Sequence, residues 1–201
     1  MAELTIAHEA IAIVTDPEHP LDCLRVEDLY GLMSAEAEAA GVATWDGAAT
    51  IDPPLRVSPG LPDERLWIAG NPAGLNALID LALADLALQR GQEDAIRTDF
   101  PGQTESRIIL EEPIADAGLP LGWSPLNGLD GDASEVKVLA IDDGDGCVDP
   151  SAATVNDGRY PLARQLRVHV DIGRAADRPE VGAFVDVLLD ADALTEAVTA
   201  A

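Results

Sequence analysis

The residues with the clearest binding chemistry lie in a turn between a predicted strand, RLWIAG (65–70), and a predicted helix, NPAGLNALIDLALADLALQRG (71–91). The first N–H groups of a helix have no acceptor within the helix, and the helix dipole adds partial positive charge there. Such a turn is a natural anion site, although an ordinary turn without a ligand is the commoner alternative. The predicted ligand-binding residues are Asn71, Ala73, Gly74 and Leu75.

Other side chains with reactive or metal-binding chemistry do not form a recognisable site. No histidine lies near Cys147 in sequence to activate a thiolate, and a disulfide with Cys23 is favoured over two free thiols. The loop DDGDG (142–146) resembles the start of a calcium loop but lacks the later bidentate glutamate, which favours an acidic turn. The spacing of the histidines does not support a metal site. The histidines are His8, His19 and His169.

The sequence contains no GxGxxG, P-loop, GxSxG or HExxH motif, so we expect neither an enzyme nor a bound cofactor or metal. The net charge is −25, from 37 acidic and 12 basic residues. Binding to nucleic acid or to anionic membranes is therefore disfavoured. The acids are spread along the whole chain, which favours a surface adapted to high salt over a localised acidic binding face.

Hydrophobic patterns and helix caps predict alternating strands and helices, which is typical of an α/β fold with a largely parallel sheet. The helix at 71–91 is the clearest, since Gly91 provides a stop and one stripe of its residues is apolar. The predicted stripe is Leu75, Leu78, Ile79, Ala82 and Leu86. The predicted strands are 4–16 (one bent strand or a pair), 65–70, 119–126, 135–142 and 166–172, and further helices are predicted at 26–40, from about residue 104 and near the C-terminus.

Two long segments follow a known family pattern. IAHEAIAIVTDPEHPLDCLRVEDLYGL (6–32) resembles a hinge strand that leads to D-C-L-T-x-E-x-L, and GDGCVDPSAATVNDGRYPLARQLRVHV (144–170) resembles C-V-x-P-S-x-E-T-I-x-D-G-x-Y-P-L-S-R-P-L. RTDF (97–100) and AGLPLGWSPL (117–126) also fall in the expected order. The chain thus resembles the phosphate-binding proteins of phosphate ABC importers, the PstS-like members of the type 2 periplasmic-binding-protein fold.

The resemblance implies a periplasmic-binding-protein-like lobe with a mostly parallel sheet flanked by helices, and an N-terminal lobe that is largely missing. Residues 1–201 would form a single such domain. It would comprise a main lobe at 28–158, hinge strands at 4–16 and 160–172, and C-terminal helices at 178–200. From its own residues, segment 144–170 predicts that Ser151 caps a short helical turn and that Arg164 and Arg167 pair with surface acids rather than with a ligand.

The family places Ser-Gly-Thr where this chain has GNPAGLNAL (70–78), so Ala73 and Leu75 replace the hydroxyl residues. The arginine and aspartate that usually precede the motif are absent from 66–74. A buried phosphate needs nearly every oxygen hydrogen-bonded, so we expect binding of phosphate or another small anion to be weakened. Two functions follow: a solute-binding domain for ABC transport, or a ligand-free interaction module that pairs with another chain.

Partners and location are implied by the resemblance as well. It implies an ABC permease or a chain that supplies the missing lobe, and an extracytoplasmic location, periplasmic or on the cell surface. The first residues, MAELTIAHEAIAIV, lack the pattern of a signal peptide. Exposed edges of the hinge strands predict a homodimer or pairing with a partner strand.

Overall fold

The computed structural model describes residues 1–69, 76–99, 119–129 and 136–190. Two compact units are present: Ala10–Ala163, here called the sheet unit, and Met1–Glu9 with Arg164–Ala201, here called the terminal unit. The strands are β1 (Ala2–Thr15), β2 (Cys23–Arg25), β3 (Leu66–Ala69), β4 (Leu119–Pro125), β5 (Lys137–Asp142) and β6 (Ala163–Val170). The α-helices are α1 (Val26–Met33), α2 (Ala35–Ala39), α3 (Asn76–Gln89), α4 (Ala152–Asn156), α5 (Ile172–Asp177) and α6 (Pro179–Leu189), and 3-10 helices span Asp46–Thr50 and Leu126–Leu129.

The sheet unit has the strand order β2-β5-β1-β4-β3. β2 is parallel to β5 and β3 is parallel to β4, whereas β1 is antiparallel to both of its neighbours, β4 and β5. Four strands thus share one direction and the central strand runs against them. The predicted α/β class with a mostly parallel sheet is confirmed, with β1 as the exception.

β1 is one long strand rather than a strand pair. Its residues alternate between exposed and half-buried near the chain start, whereas Ala10 to Val14 are all buried. A strand covered on both faces needs such a continuous apolar run. Tyr160 fastens the returning chain to this strand, because its hydroxyl donates to the Ile11 carbonyl at 2.9 Å and the Ile11 N–H donates to the Leu162 carbonyl at 3.2 Å.

The predicted helix at 26–40 is divided into α1 and α2. Ser34 interrupts it with an extended backbone (ψ 160°), and its hydroxyl accepts from the Ala37 N–H at 3.0 Å. A serine competes for backbone hydrogen bonds in this way and so starts a new helix. The expected stop at Gly41 is confirmed, since Gly41 has a φ of +71°, which favours glycine.

α3 packs on the core through Ile79, Leu83 and Ala87, which are almost fully buried. Ala82 and Leu86 are only partly buried, so the stripe turns slightly from the predicted one. Gly91 ends the helical segment with a φ of +73°, as predicted. The side chains of Leu75 and Leu78, the predicted cap at Asn71 and the helix predicted from residue 104 lie outside the described residues.

The terminal unit contains the start of β1, together with β6, α5 and α6. β6 pairs with β1, as expected for the two hinge strands. No residue of α6 is buried, and large apolar side chains on α5 and α6 are exposed: Ile172, Phe184, Val187 and Leu189. No helix among the described residues has the length and apolar character needed to cross a bilayer. The division into a main lobe at 28–158, hinge strands and C-terminal helices remains a prediction.

Candidate functional site

The predicted anion-binding turn is flanked by two well-packed elements. β3 pairs in parallel with β4, from Leu66 opposite Leu119 to Ala69 opposite Gly122. α3 begins at Asn76, and its first turns pack on the core through Ile79. The predicted ligand residues themselves, Asn71, Ala73, Gly74 and Leu75, lie outside the described residues, so their ligand-binding role remains a prediction.

The disulfide between Cys23 and Cys147 is confirmed, with a Cα–Cα distance of 6.0 Å. It connects the start of β2 to the loop that follows β5, the strand with which β2 pairs. Neither cysteine is free. A thiolate nucleophile is therefore not present in this form of the chain.

The acidic loop after β5 is closed on itself. One carboxylate oxygen of Asp142 accepts from the N–H of Gly144 at 2.7 Å and from the N–H of Gly146 at 2.9 Å. These two hydrogen bonds hold the pKa of the Asp142 carboxyl below its usual range. The predicted acidic turn is confirmed. Within the described ranges no group of three or more histidine, cysteine or acidic side chains is placed to hold a metal ion.

The arginines of β6 pair with acids of β1, as predicted. Arg164 donates to Glu9 at 2.7 Å, and Arg167 donates to Glu3 at 2.7 Å. Ser151 is also confirmed as a helix cap, because its hydroxyl accepts from the Thr154 N–H at 3.1 Å. These residues therefore support the strand pair and a helix end.

A cavity of about 200 Å³ beside β3 was not predicted from the sequence. Among the residues that line it are two arginines and an aspartate, Arg65, Arg97 and Asp99, and the apolar residues Val42, Leu66 and Ile68. The segment RTDF (97–100) matches the family pattern only in its order along the chain. The sole sequence signal for this cavity is the presence of two arginines in a chain with few basic residues.

Arg97 is a buried cation that holds several chain segments together. Its Nη1 donates to the carbonyls of Leu32 at 2.9 Å and Val42 at 3.2 Å. Its Nε and Nη2 donate to the two carboxylate oxygens of Asp99 at 2.5 and 2.8 Å. The Arg97 guanidinium lowers the pKa of Asp99, because it stabilises the ionised carboxylate.

Comparison with known proteins places the chain in a family. The PBP superfamily domain matches residues 1–192. Protein SphX of Synechocystis sp. is 29% identical over 191 residues, which cover 93% of this chain and 52% of that protein. The chain spans about half the length of the curated relatives it matches.

Solved structures share the fold. A possible phosphate binding protein from Planctomyces limnophilus matches with a TM-score of 0.72 at 24% identity, over 95% of this chain and 62% of that one. An ABC-type phosphate transport receptor from Vibrio cholerae matches with a TM-score of 0.64 at 15% identity, over 98% of this chain and 70% of that one. The chain therefore belongs to the PBP superfamily and has the α/β fold of the PstS-like phosphate-binding proteins.

Proposed function

We propose that this chain is a solute-binding domain that binds phosphate or another small oxyanion at the turn between β3 and α3. The observation that carries the proposal is the packing of the two flanks. β3 ends at Ala69 beside β4, and α3 begins at Asn76 on the same core. The carboxyl ends of parallel strands are where ligands bind in open α/β sheets, and a helix follows β3 along the chain.

The expected affinity is low. Backbone N–H groups of Ala73, Gly74 and Leu75 remain as donors, while the hydroxyl groups and the cation of the family pattern are missing from 66–74. Charge-assisted and side-chain hydrogen bonds supply much of the binding energy of an oxyanion. We therefore expect a dissociation constant weaker than about 10 µM, which corresponds to about 7 kcal/mol.

The proposed setting is transport outside the cytoplasm, with an ABC permease as the partner that receives the solute. The support is the family, the likeness to a phosphate transport receptor and the disulfide, a bond that persists in oxidising compartments. We propose a non-catalytic role, since both cysteines are paired and the described ranges hold no metal cluster.

Titration calorimetry with sodium phosphate tests the binding site. The parent should release or absorb measurable heat with a saturable, weak isotherm, and Gly74→Asp should remove the heat that binding at the turn contributes, because a carboxylate repels the anion. Gly182→Asp is the matched control: it adds the same charge on α6, where a new Cβ meets nothing within 4 Å, and it should bind as the parent does.

The possible results separate the alternatives. No heat with phosphate or sulfate would overturn the proposal and favour the second candidate, an interaction module that pairs with another chain. The exposed apolar side chains of the terminal unit support that second candidate, among them Phe184, which is 60% exposed. Binding tighter than about 10 µM would show that the lost hydroxyls do not weaken the site.

A further inference from the structure

The main cation of the cavity beside β3 lies at the other end of that strand from the turn proposed above. The described lining residues belong to the sheet unit, and Arg65 directly precedes β3, whereas the turn follows Ala69. The four residues of β3 span roughly 13 Å of extended chain, since a strand rises about 3.3 Å per residue. Arg65 and the turn therefore lie at opposite ends of β3, and binding at each can be tested separately.

The guanidinium of Arg65 has no hydrogen-bond or ion-pair partner among the described residues. Its backbone is fixed on both sides, because its carbonyl accepts from the Leu119 N–H at 3.0 Å and the residue forms an antiparallel bridge with Thr44. Its side chain is exposed and makes no ion pair or hydrogen bond with any residue the structure describes. Most basic side chains of the described ranges have a carboxylate partner, for example Arg90 with Glu36. Arg65 is thus held in place while its guanidinium is free to bind a ligand.

Arg97 contributes a further donor to the same wall. A guanidinium has five N–H groups. Four of those of Arg97 are used by Leu32, Val42 and Asp99. The fifth has no partner among the described residues, and the side chain is only 7% exposed. An acceptor atom of a ligand in the cavity could take the hydrogen bond from this fifth N–H group.

Charge and size define the ligand class. Among the described lining residues, the two guanidinium groups and the Asp99 carboxylate sum to one positive charge, within a chain whose net charge is −25. The Asp99 carboxylate is already neutralised by Arg97, so its repulsion of an anion is reduced. A volume of about 200 Å³ is below the roughly 300 Å³ at which pockets for larger organic ligands begin. It suits a small oxyanion, with Val42, Leu66 and Ile68 among the residues that border it.

We propose that this cavity is a second site for a small oxyanion, either a tetrahedral phosphate-like ion or a carboxylate, with Arg65 as its main cation and Arg97 as a supporting donor. None of the residues that carry this proposal belongs to the turn between β3 and α3. The cavity is a region of local positive charge on an acidic chain, and the family resemblance does not imply it.

Nuclear magnetic resonance on the full ¹⁵N-labelled chain tests the proposal. Sodium phosphate and sodium acetate are added separately, at constant ionic strength set with sodium chloride. The Nε–H resonances of Arg65 and Arg97 and the amide of Ala43 should shift and saturate with at least one of the two anions. Saturation with phosphate alone identifies a tetrahedral ligand, and saturation with acetate alone identifies a carboxylate; both outcomes support the proposal.

Variants identify the residues responsible. Arg65→Gln should weaken binding at the cavity at least tenfold, with the dispersed spectrum of the folded parent retained because the side chain is exposed. Arg56→Gln is the matched control, since Arg56 is an exposed arginine that is not among the described lining residues, and it should titrate as the parent does. Gly74→Asp should leave the cavity shifts unchanged, which separates this site from the proposed turn.

Three results would overturn the proposal. The first is the absence of any shift around the cavity up to anion concentrations on the order of 50 mM. The second is an Arg65→Gln variant that titrates as the parent does. The third is an equal loss in Arg56→Gln, which would mean that overall charge rather than the cavity governs the shifts. Failure at the turn with success here would refute only the proposed function.

Discussion

At the scale of single residues, His19 is the most unusual titratable group of the described chain. Its side chain is buried, and its ring lies 4.5 Å from that of Trp45 between centroids. Nδ1 lies 3.2 Å from the Leu21 nitrogen and 3.3 Å from the Leu21 oxygen, whereas Nε2 is buried without a hydrogen-bond partner among the described residues. Burial lowers the pKa of His19, because the charged imidazolium loses hydration there.

We expect the free energy of unfolding to fall as the pH drops below about 6.5, the ordinary pKa of histidine. The unfolded chain takes up a proton on His19 first, since the folded pKa is the lower one, so the stability is fully present above pH 6.5 and declines until the folded pKa is reached. His19→Asn keeps a short acceptor near Nδ1 and should flatten this part of the profile. Urea unfolding between pH 8 and pH 5 measures it.

His169→Asn is the control for this measurement, because it removes a histidine from the exposed surface of β6. It should follow the profile of the parent. An identical fall below pH 6.5 in the parent and in His19→Asn would show that His19 is not responsible.

At the scale of elements, a polar network fixes the end of α3 against α1 and α2. Arg90, one residue past α3, donates to both oxygens of Glu36 at 2.6 and 2.8 Å and to the Pro53 carbonyl at 2.8 Å. The Tyr30 hydroxyl donates to the same carboxylate at 2.9 Å, and the Arg90 guanidinium lies 5.8 Å from the Tyr30 ring centre. Burial and the hydrogen bond to Glu36 raise the pKa of Tyr30 to about 12.

Arg90→Met should therefore lower the free energy of unfolding by about 2 to 3 kcal/mol, because it leaves the largely buried carboxylate of Glu36 without its cation. Chemical denaturation at neutral pH measures the loss. Arg159→Met is the matched control, since Arg159 forms an exposed pair with Asp157 on the surface, and its loss should be much smaller. Equal losses in the two variants would contradict the role given to Arg90.

Elements with strong local signals were predictable from the sequence. The apolar, β-rich segment at 4–16 predicted β1, and glycine stops predicted the ends of α2 and α3. The break at Ser34 was not predicted, because its hydroxyl satisfies a helix N-terminus that the apolar pattern does not indicate. The cavity was not predictable either, since Arg65 and Arg97 are brought together by long-range hydrogen bonds such as that from the Arg97 N–H to the Met33 carbonyl at 2.8 Å. The anion-binding turn remains a sequence prediction.

At the scale of the whole molecule, the acidic charge and the exposed apolar surface act against each other. The net charge of −25 repels a second copy of the chain, while the apolar side chains of the terminal unit favour association. β6 also pairs only with β1 among the described residues, which leaves one of its edges open to another strand. The salt concentration sets which effect is larger. Added salt screens the charge repulsion, since the Debye length falls from about 10 Å at 0.1 M to about 3 Å at 1 M.

We expect the isolated chain to form a homodimer through the terminal unit, weakly at low salt and more strongly at 1 M sodium chloride. Phe184→Ser should weaken the dimer at least tenfold, because it removes a large apolar side chain that is 60% exposed. Leu88→Ser is the matched control, since Leu88 is 70% exposed but lies on α3 of the sheet unit, and it should dimerise as the parent does. Sedimentation equilibrium over a range of protein concentrations measures the constants. A strict monomer at both salt concentrations, or equal weakening by both variants, would rule out this interface, because screened charges would then leave the apolar face of α6 with no tendency to associate.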